Sequence, residues 1–231
     1  LIEPPQPHQQ TAIEKIIDEE SLLIEYGTGT GKTRIAVEVA TVLLANGEIP
    51  GVVVVPNSLI EQTVEEFTKW TGEKWVNRYV HALDGNLSIY QRREALKRGR
   101  AHIYILSTES LSYGMIREGI GSREWAWAIV DEASRYRNYS KRTVTLQMLG
   151  KRAQSRYALT GNLMVRSPTD VWYITNWLRP GVWGTRDLKF FKATWCIMGG
   201  YTGGTAIGIR PDKREEFVRI MNTMRIQCET L

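Results

Sequence analysis

Five short apolar runs, SLLIEYG, GVVVVPN, HIYILST, WAWAIVDEA and SRYALTG, are separated by longer stretches with a helical period. The runs show little alternation of apolar and polar residues, so neither face of the strands they predict can look at water. Strands buried on both faces belong to parallel sheets, whose crossover connections cover each face with helices. The intervening TRIAVEVATVLLANG, SLIEQTVEEFTKW and SIYQRREALKRG supply such helices. The first stops at Asn46-Gly47, a pair suited to ending a helix. Repeated strand-then-helix order therefore predicts an α/β domain, with a mainly parallel sheet and helices on both faces. Ligands of such sheets sit beyond the carboxyl ends of the strands, and the chemically distinctive residues gather there.

Beyond about residue 185 the pattern changes. FFKATWCIMGGYTGGTAIGI predicts two β-prone runs around a glycine-rich turn, and the GGYTGG stretch at 199–204 reads as the plain turn of that hairpin. PDKREEFVRIMNTMRIQ predicts a closing helix with Asp212 as its cap. The expected organisation is a main lobe over 1–185 and a hairpin-and-helix extension of the same lobe over 186–231. At 231 residues, with 42% hydrophobic and 24% charged side chains, the chain can bury such a core and is not a disordered tail. Its longest aliphatic run, GVVVV, is too short to cross a bilayer, and no basic-then-apolar leader opens the sequence. Cys196 and Cys228 lack metal-site spacing and are too few for a disulfide framework. An intracellular protein without a membrane partner is expected. The net charge of +5 permits a polyanionic partner without requiring one.

Between the first run and the first helix lies Gly29-Thr30-Gly31-Lys32-Thr33. Glycines let backbone N–H groups converge on phosphate oxygens, and a helix N-terminus adds its partial positive charge. Lys32 is placed to reach the β- and γ-phosphates of a nucleotide, and the Thr33 hydroxyl to ligate Mg²⁺. The run WAIVDEAS then delivers Asp131 and Glu132 at a strand's carboxyl end. Asp131 is suited to hold Mg²⁺, directly or through water, and Glu132 to orient or deprotonate an attacking water. Together the two motifs predict a site for Mg²⁺ and a nucleoside triphosphate, with Lys32, Asp131 and Glu132 as catalytic residues.

These motifs resemble those of the first RecA-like motor lobe of a superfamily 2 helicase or translocase, in its Swi/Snf-related branch. That family's phosphate loop reads A-x-x-G-x-G-K-T, and residues 26–33 match it except that Tyr26 stands at the alanine. The resemblance implies a RecA-like P-loop NTPase fold. Pro7-His8-Gln9 is similar to the upstream P-Y-Q motif, which assigns Gln9 the adenine edge; a glutamine amide can pair with adenine's donor and acceptor together. VVVVPNSLIEQ and ILSTESLS resemble strand-end motifs that touch nucleic acid, carrying over Ser58 and Gln62, then Ser107, Thr108 and Glu109 near the tracked strand. VDEASRYRN resembles V-D-E-A-H-R-I-K-N, with Ser134 at the histidine. YALTGNLMVRSPTDVW resembles L-T-G-T-P-x-x-N-x-x-x-E-L-W, which makes Thr160 and Gly161 part of a motif coupling nucleotide state to DNA contact. Asn162, Leu163 and Arg166 depart from it, standing where the family has Thr, Pro and Asn.

The resemblance implies Mg²⁺-ATP hydrolysis driving movement on DNA, duplex by preference. It also implies a second RecA-like lobe in the parent chain, since no second lobe is visible here and the chain opens on Leu1 rather than methionine. Such a lobe supplies arginine fingers, so residues 1–231 alone are expected to bind ATP and hydrolyse it poorly. Two alternatives remain open on the sequence. One is a strand-separating or restriction-type motor; the other is a nucleotide-gated binding module without motor activity. The basic run Arg92, Arg93, Lys97, Arg98 and Arg100 suits either a solvated helix face or phosphate contact. Trp125, Trp127, Trp172 and Trp177 are read as core.

Overall fold

The computed structural model describes residues 4–27, 29–199 and 204–228. Helix α1 (Pro7–Asp18) leads into β1 (Ser21–Tyr26), α2 (Lys32–Ala45), β2 (Gly51–Val55), α3 (Ile60–Thr71) and α4 (Glu73–Tyr79). Next come β3 (Val80–Leu83), α5 (Ile89–Arg98), β4 (Ile103–Ser107), α6 (Gly114–Gly121), β5 (Trp125–Val130), α7 (Lys141–Arg152) and β6 (Ala153–Thr160). The chain finishes with α8 (Trp172–Leu178), α9 (Leu188–Trp195), the pair β7 (Cys196–Gly199) and β8 (Thr205–Ile209), α10 (Arg214–Asn222) and β9 (Arg225–Cys228). Seven strands form one sheet in the order β3-β4-β2-β5-β6-β1-β9, and every pairing in it is parallel. Strands β7 and β8 make a separate antiparallel pair.

The unbroken apolar character of the central strands has a direct structural cause. Val53 and Val55 of β2 pack into a core with Ile16, Ile35, Val39 and Phe67 of α1, α2 and α3. Their neighbours Val52 and Val54 pack into a second core, with Leu96, Ile120, Leu149 and Trp177 of α5 to α8. Strand β4 splits in the same way, Ile103 and Ile105 to the first core and Tyr104 and Leu106 to the second. Burial of this kind contributes about 1.5–3 kcal/mol per large aliphatic side chain. Packing also fixes glycine at Gly51, where a Cβ would lie 2.0 Å from the Trp127 ring.

Two strands carried no signal in the sequence. VHAL of β3 and RIQC of β9 are the outermost strands of the sheet, so they lack the two-sided burial that made the inner five legible. The expected closing helix is correspondingly shorter, and its last residues leave it to form β9 beside β1. Asp212 does not cap it. Its carboxylate instead takes Arg210, at 3.1 and 3.0 Å, and the helix starts from Lys213 without a side-chain cap.

FFKATW is helical rather than extended. Asp187 caps α9 by accepting the Lys189 N–H at 2.7 Å, and Phe191 and Trp195, one turn apart, pack against Trp183 at 5.3 and 5.2 Å between ring centroids. Trp183 also stacks on Phe217 of α10 at 4.6 Å. An aromatic cluster from three segments thus overrides the local strand preference of FFKATW. The hairpin itself is present, in Cys196–Gly199 and Thr205–Ile209, while residues 200–203 of its expected turn lie outside the described residues.

Candidate functional site: a phosphate loop at the strand ends

Strand β1 ends at Tyr26, and α2 begins at Lys32. The loop between them turns through Gly29 at φ +76° and Gly31 at φ +74°. Both lie in the left-handed region that a Cβ disfavours, which is why glycine is needed at each. Thr28 lies outside the described residues. Thr30 folds the loop inward, its hydroxyl donating to the Gly27 carbonyl at 2.8 Å. Lys32, only 9% exposed, donates its ammonium to the carbonyl oxygens of Tyr26 and Gly27 at 3.0 and 2.9 Å. Its charge is therefore held at the mouth of the loop, beside the N-terminus of α2 and its partial positive charge. Thr33 follows in the first turn, half-buried.

Gln9 closes one side of this cradle. Its Nε2 donates to the Thr30 carbonyl at 3.1 Å, and its Oε1 accepts the Gln6 N–H at 2.9 Å. A Cβ at Gly31 would come within 2.3 Å of Gln9 Nε2, so the helix and the loop touch directly. His8 Nε2 lies 3.0 Å from the same Thr30 carbonyl. Tyr26 binds this assembly together. Its buried ring meets His8 edge-on at 5.6 Å, and its hydroxyl donates to the His8 carbonyl at 2.9 Å. A tyrosine where an alanine was expected thus straps the first turn of α1 onto the phosphate loop.

Asp131 stands one residue beyond β5, its N–H donating to the Val54 carbonyl of β2 at 2.8 Å. The residue is 4% exposed, and burial pushes the pKa of its carboxyl up to about 6. The Glu132 N–H, donating to Asp131 Oδ1 at 2.8 Å, opposes the rise; the Glu132 charge adds to it and the Lys32 charge opposes it. Glu132 sits at φ +50°, the only non-glycine residue with positive φ among those described. Strain of about 1–3 kcal/mol in such a conformation is held by the surrounding structure and recurs at functional sites. Thr160, at the end of β6 between β5 and β1, has a fully buried hydroxyl without a hydrogen-bond partner among the described residues. Gly161 follows it directly.

These residues fit Mg²⁺ and ATP. A glycine cradle after β1, a lysine held at its mouth and a desolvated carboxyl at the end of β5, with β6 between the two strands, are the donor set that a triphosphate and its cation require. Among the described residues no group of three or more His, Cys, Asp and Glu could hold a metal. Mg²⁺ needs no such cage, because phosphate and water complete its octahedron around one or two protein oxygens.

The residues expected to face nucleic acid divide in two. Ser58 and Gln62 are exposed, in the turn after β2 and in α3. The side chains of Ser107 and Thr108 are buried, at the end of β4 and directly after it. Ser107 Oγ lies 2.6 Å from Ser110 Oγ, and Thr108 Oγ1 accepts the Tyr136 hydroxyl at 3.3 Å. Exposed Glu109 bridges segments: Oε2 accepts the Asn57 N–H at 2.9 Å, and Oε1 pairs with Arg135 at 3.2 Å. The basic run of α5 is largely neutralised, by Arg93–Glu94 at 2.8 Å, Lys97–Glu118 at 3.1 Å and Arg98–Glu94 at 3.4 Å. Arg92 turns inward to Ser110 Oγ at 3.0 Å. Sequence reasoning gave no role to Glu25 or to the Glu109–Arg135 bridge. Glu25, a lone acid inside an apolar strand, was the readable signal for the first.

Residues 6–167 match the family model described as DEAD/DEAH box helicase. Among curated relatives, the human DNA excision repair protein ERCC-6 is 28% identical over 165 residues, which is 70% of this chain and 11% of that protein. Helicase SWR1 of Gibberella zeae is 28% identical over 172 residues, 71% of this chain and 10% of that protein. The chain thus spans about a tenth of the length of these relatives. The Sulfolobus solfataricus SWI2/SNF2 ATPase core in complex with dsDNA superposes with a TM-score of 0.77 at 20% identity, covering 99% of this chain and 45% of that one. The UvsW helicase of bacteriophage T4 gives a TM-score of 0.56 at 16% identity, over 70% of this chain and 54% of that one. With the phosphate loop, the Asp131-Glu132 strand end and the parallel sheet in place, the chain belongs to the DEAD/DEAH box helicase family, as an N-terminal superfamily 2 lobe of the Swi/Snf-related kind.

Proposed function

We propose that this chain is the ATP-binding lobe of a DNA translocase that moves on duplex DNA by hydrolysing ATP with Mg²⁺. One observation carries the reading: the Lys32 ammonium is held on the strand-end carbonyls of Tyr26 and Gly27 in a glycine cradle, at the same end of the parallel sheet as the buried carboxyl of Asp131. Backbone N–H groups from Gly29 to Thr33 bind the phosphates, and Lys32 exchanges its carbonyl partners for phosphate oxygens. Gln9 orients the adenine edge, giving up its bond to Thr30 or to Gln6 as it does so. Thr33 and Asp131 hold Mg²⁺, which supplies neutralisation of developing charge on the phosphates. Glu132 orients the attacking water and takes its proton.

The complex of the Sulfolobus ATPase core with dsDNA supports a duplex substrate, and a DNA substrate implies an intracellular setting. The exposed segment around Ser58, Gln62 and the Glu109–Arg135 bridge is the proposed DNA face, with Thr160 and Gly161 linking it to the nucleotide. A second RecA-like lobe completes the cleft. Titration with ATP should show binding that Lys32→Ala abolishes. Turnover should stay low for residues 1–231, and rise by about 10³-fold or more when a second lobe supplies an arginine finger. Robust DNA-stimulated hydrolysis by residues 1–231 alone would overturn the two-lobe reading. Blunt duplexes should stimulate as well as forked ones; a strict requirement for forks would favour strand separation.

A further inference from the structure

The proposed chemistry leaves Glu25 unused, yet this acid lies inside the strand that carries the phosphate loop. Leu22, Ile24 and Tyr26 face the core beneath α1 to α3, so Glu25 points to the other side of the sheet with Leu23. Its side chain is 9% exposed, a costly place for a carboxylate without partners. Three donors from two other segments meet it there. Oε1 accepts the Leu163 N–H at 2.8 Å, while Oε2 accepts Arg225 Nη1 at 3.1 Å and Gln227 Nε2 at 3.0 Å. Arg225 is itself anchored through Nη2 on Asn222 Oδ1 at 2.9 Å.

Sheet register explains the meeting. Glu25 lies opposite Thr160 of β6 on one side and Gln227 of β9 on the other. The carboxylate therefore reaches the segment that follows Thr160 and Gly161, and it also reaches the strand that ends at Cys228, opposite Tyr26. Leu163 stands at the position where the family pattern has proline, and a proline has no N–H to donate. The departure at Leu163 thus creates one of the three links. On the loop side, the residues directly after Glu25 are Tyr26 and Gly27, whose carbonyls hold Lys32.

We propose that Glu25 is a positioning residue that ties the phosphate loop to residues 161–163 and to β9, so that nucleotide binding at the loop is transmitted to both. The proposal rests on the ATP reading of the loop. When Lys32 leaves the Tyr26 and Gly27 carbonyls for a phosphate, the strand end bearing Glu25 loses its cap of positive charge. The carboxylate carries that change to its donors on either side. Coupling of this sort needs a contiguous set of contacts that both sites bias, and the Glu25 clasp provides one.

Hydrogen–deuterium exchange of residues 1–231, with and without Mg²⁺-ATP, tests it. In the wild type, ATP should change exchange by about tenfold in both 161–166 and 225–228, the scale of a charge-assisted hydrogen bond. Leu163→Pro should abolish the ATP response of 161–166 and spare that of 225–228, with ATP still bound. Glu25→Gln should remove the response of 225–228, because an amide cannot pair with Arg225 as a carboxylate does. Thermal melts establish that each variant is folded, and Leu163→Pro carries the test if Glu25→Gln is not. Variants that raise exchange equally with and without ATP, leaving the ATP-dependent difference intact, overturn the coupling and leave Glu25 a structural acid. A wild type that binds ATP through Lys32 without any response at 161–166 also overturns it. A wild type that does not bind ATP removes the ATP reading, and the coupling with it.

Discussion

Replacing Asp131 by asparagine should make the nucleotide-free protein more stable while destroying its site. Burial holds the Asp131 carboxyl at about 6, against an ordinary value of 3.8. A folded-state value above the unfolded one means that the native protein binds this proton more tightly. Below about pH 4 the group is protonated in both states and contributes nothing. As pH rises through 6, the native state must carry a buried charge, and the full penalty is present above that. The gap corresponds to roughly 3 kcal/mol, an upper bound on what asparagine recovers. Asparagine can still accept the Glu132 N–H, but its own amide hydrogens need partners, so a gain of about 1–3 kcal/mol is expected. For a domain of this size that is a rise in Tm of about 2–10 °C near pH 7.5. Thermal melts in EDTA from about pH 4.5 to 7.5 should show wild type and variant converging on acidification. Adding Mg²⁺ and ATP should reverse the order, since only the wild type gains from the ligand. A variant less stable than the wild type near pH 7.5, or a difference that does not shrink toward pH 4.5, would refute the burial account.

Gly51→Ala puts a methyl 2.0 Å from the Trp127 ring between two central strands, and urea melts should show a loss of about 1–3 kcal/mol or more. Tyr26→Phe removes the donor to the half-buried His8 carbonyl and should cost about 1 kcal/mol, seen as faster exchange in the first turn of α1. Gln9→Ala should leave phosphate affinity largely intact while narrowing the preference for ATP over GTP; unchanged discrimination would remove Gln9 from the base site. Glu132→Gln, measured with a second lobe present, should retain ATP and slow hydrolysis by about 10²–10⁴-fold.

The central sheet was legible because two-sided burial leaves an unmistakable pattern, runs such as GVVVV with no polar face. The phosphate loop was legible because glycine at positive φ, followed by lysine and threonine at a helix start, has few other uses. Edge strands β3 and β9 were not, since a strand with one free edge needs no such run. FFKATW was misread because Phe191 and Trp195 are held by Trp183 and Phe217, partners distant in sequence or outside the run. The burial of Ser107 and Thr108 was not legible, because the fold supplies their internal partners, Ser110 and Tyr136.

By itself, then, the sequence determined the class of sheet and the strand-end placement of the glycine loop and of the Asp131-Glu132 pair. Each depends on residues within a few positions of one another, where backbone geometry and burial period are local. Tertiary structure decided what Tyr26 does, which acids neutralise the α5 cations, and that Glu25 meets Leu163 and Arg225. Those facts depend on strand order, which places β6 and β9 on either side of β1. Contacts between residues up to 202 positions apart are fixed by which strands pair, and no local pattern records that choice.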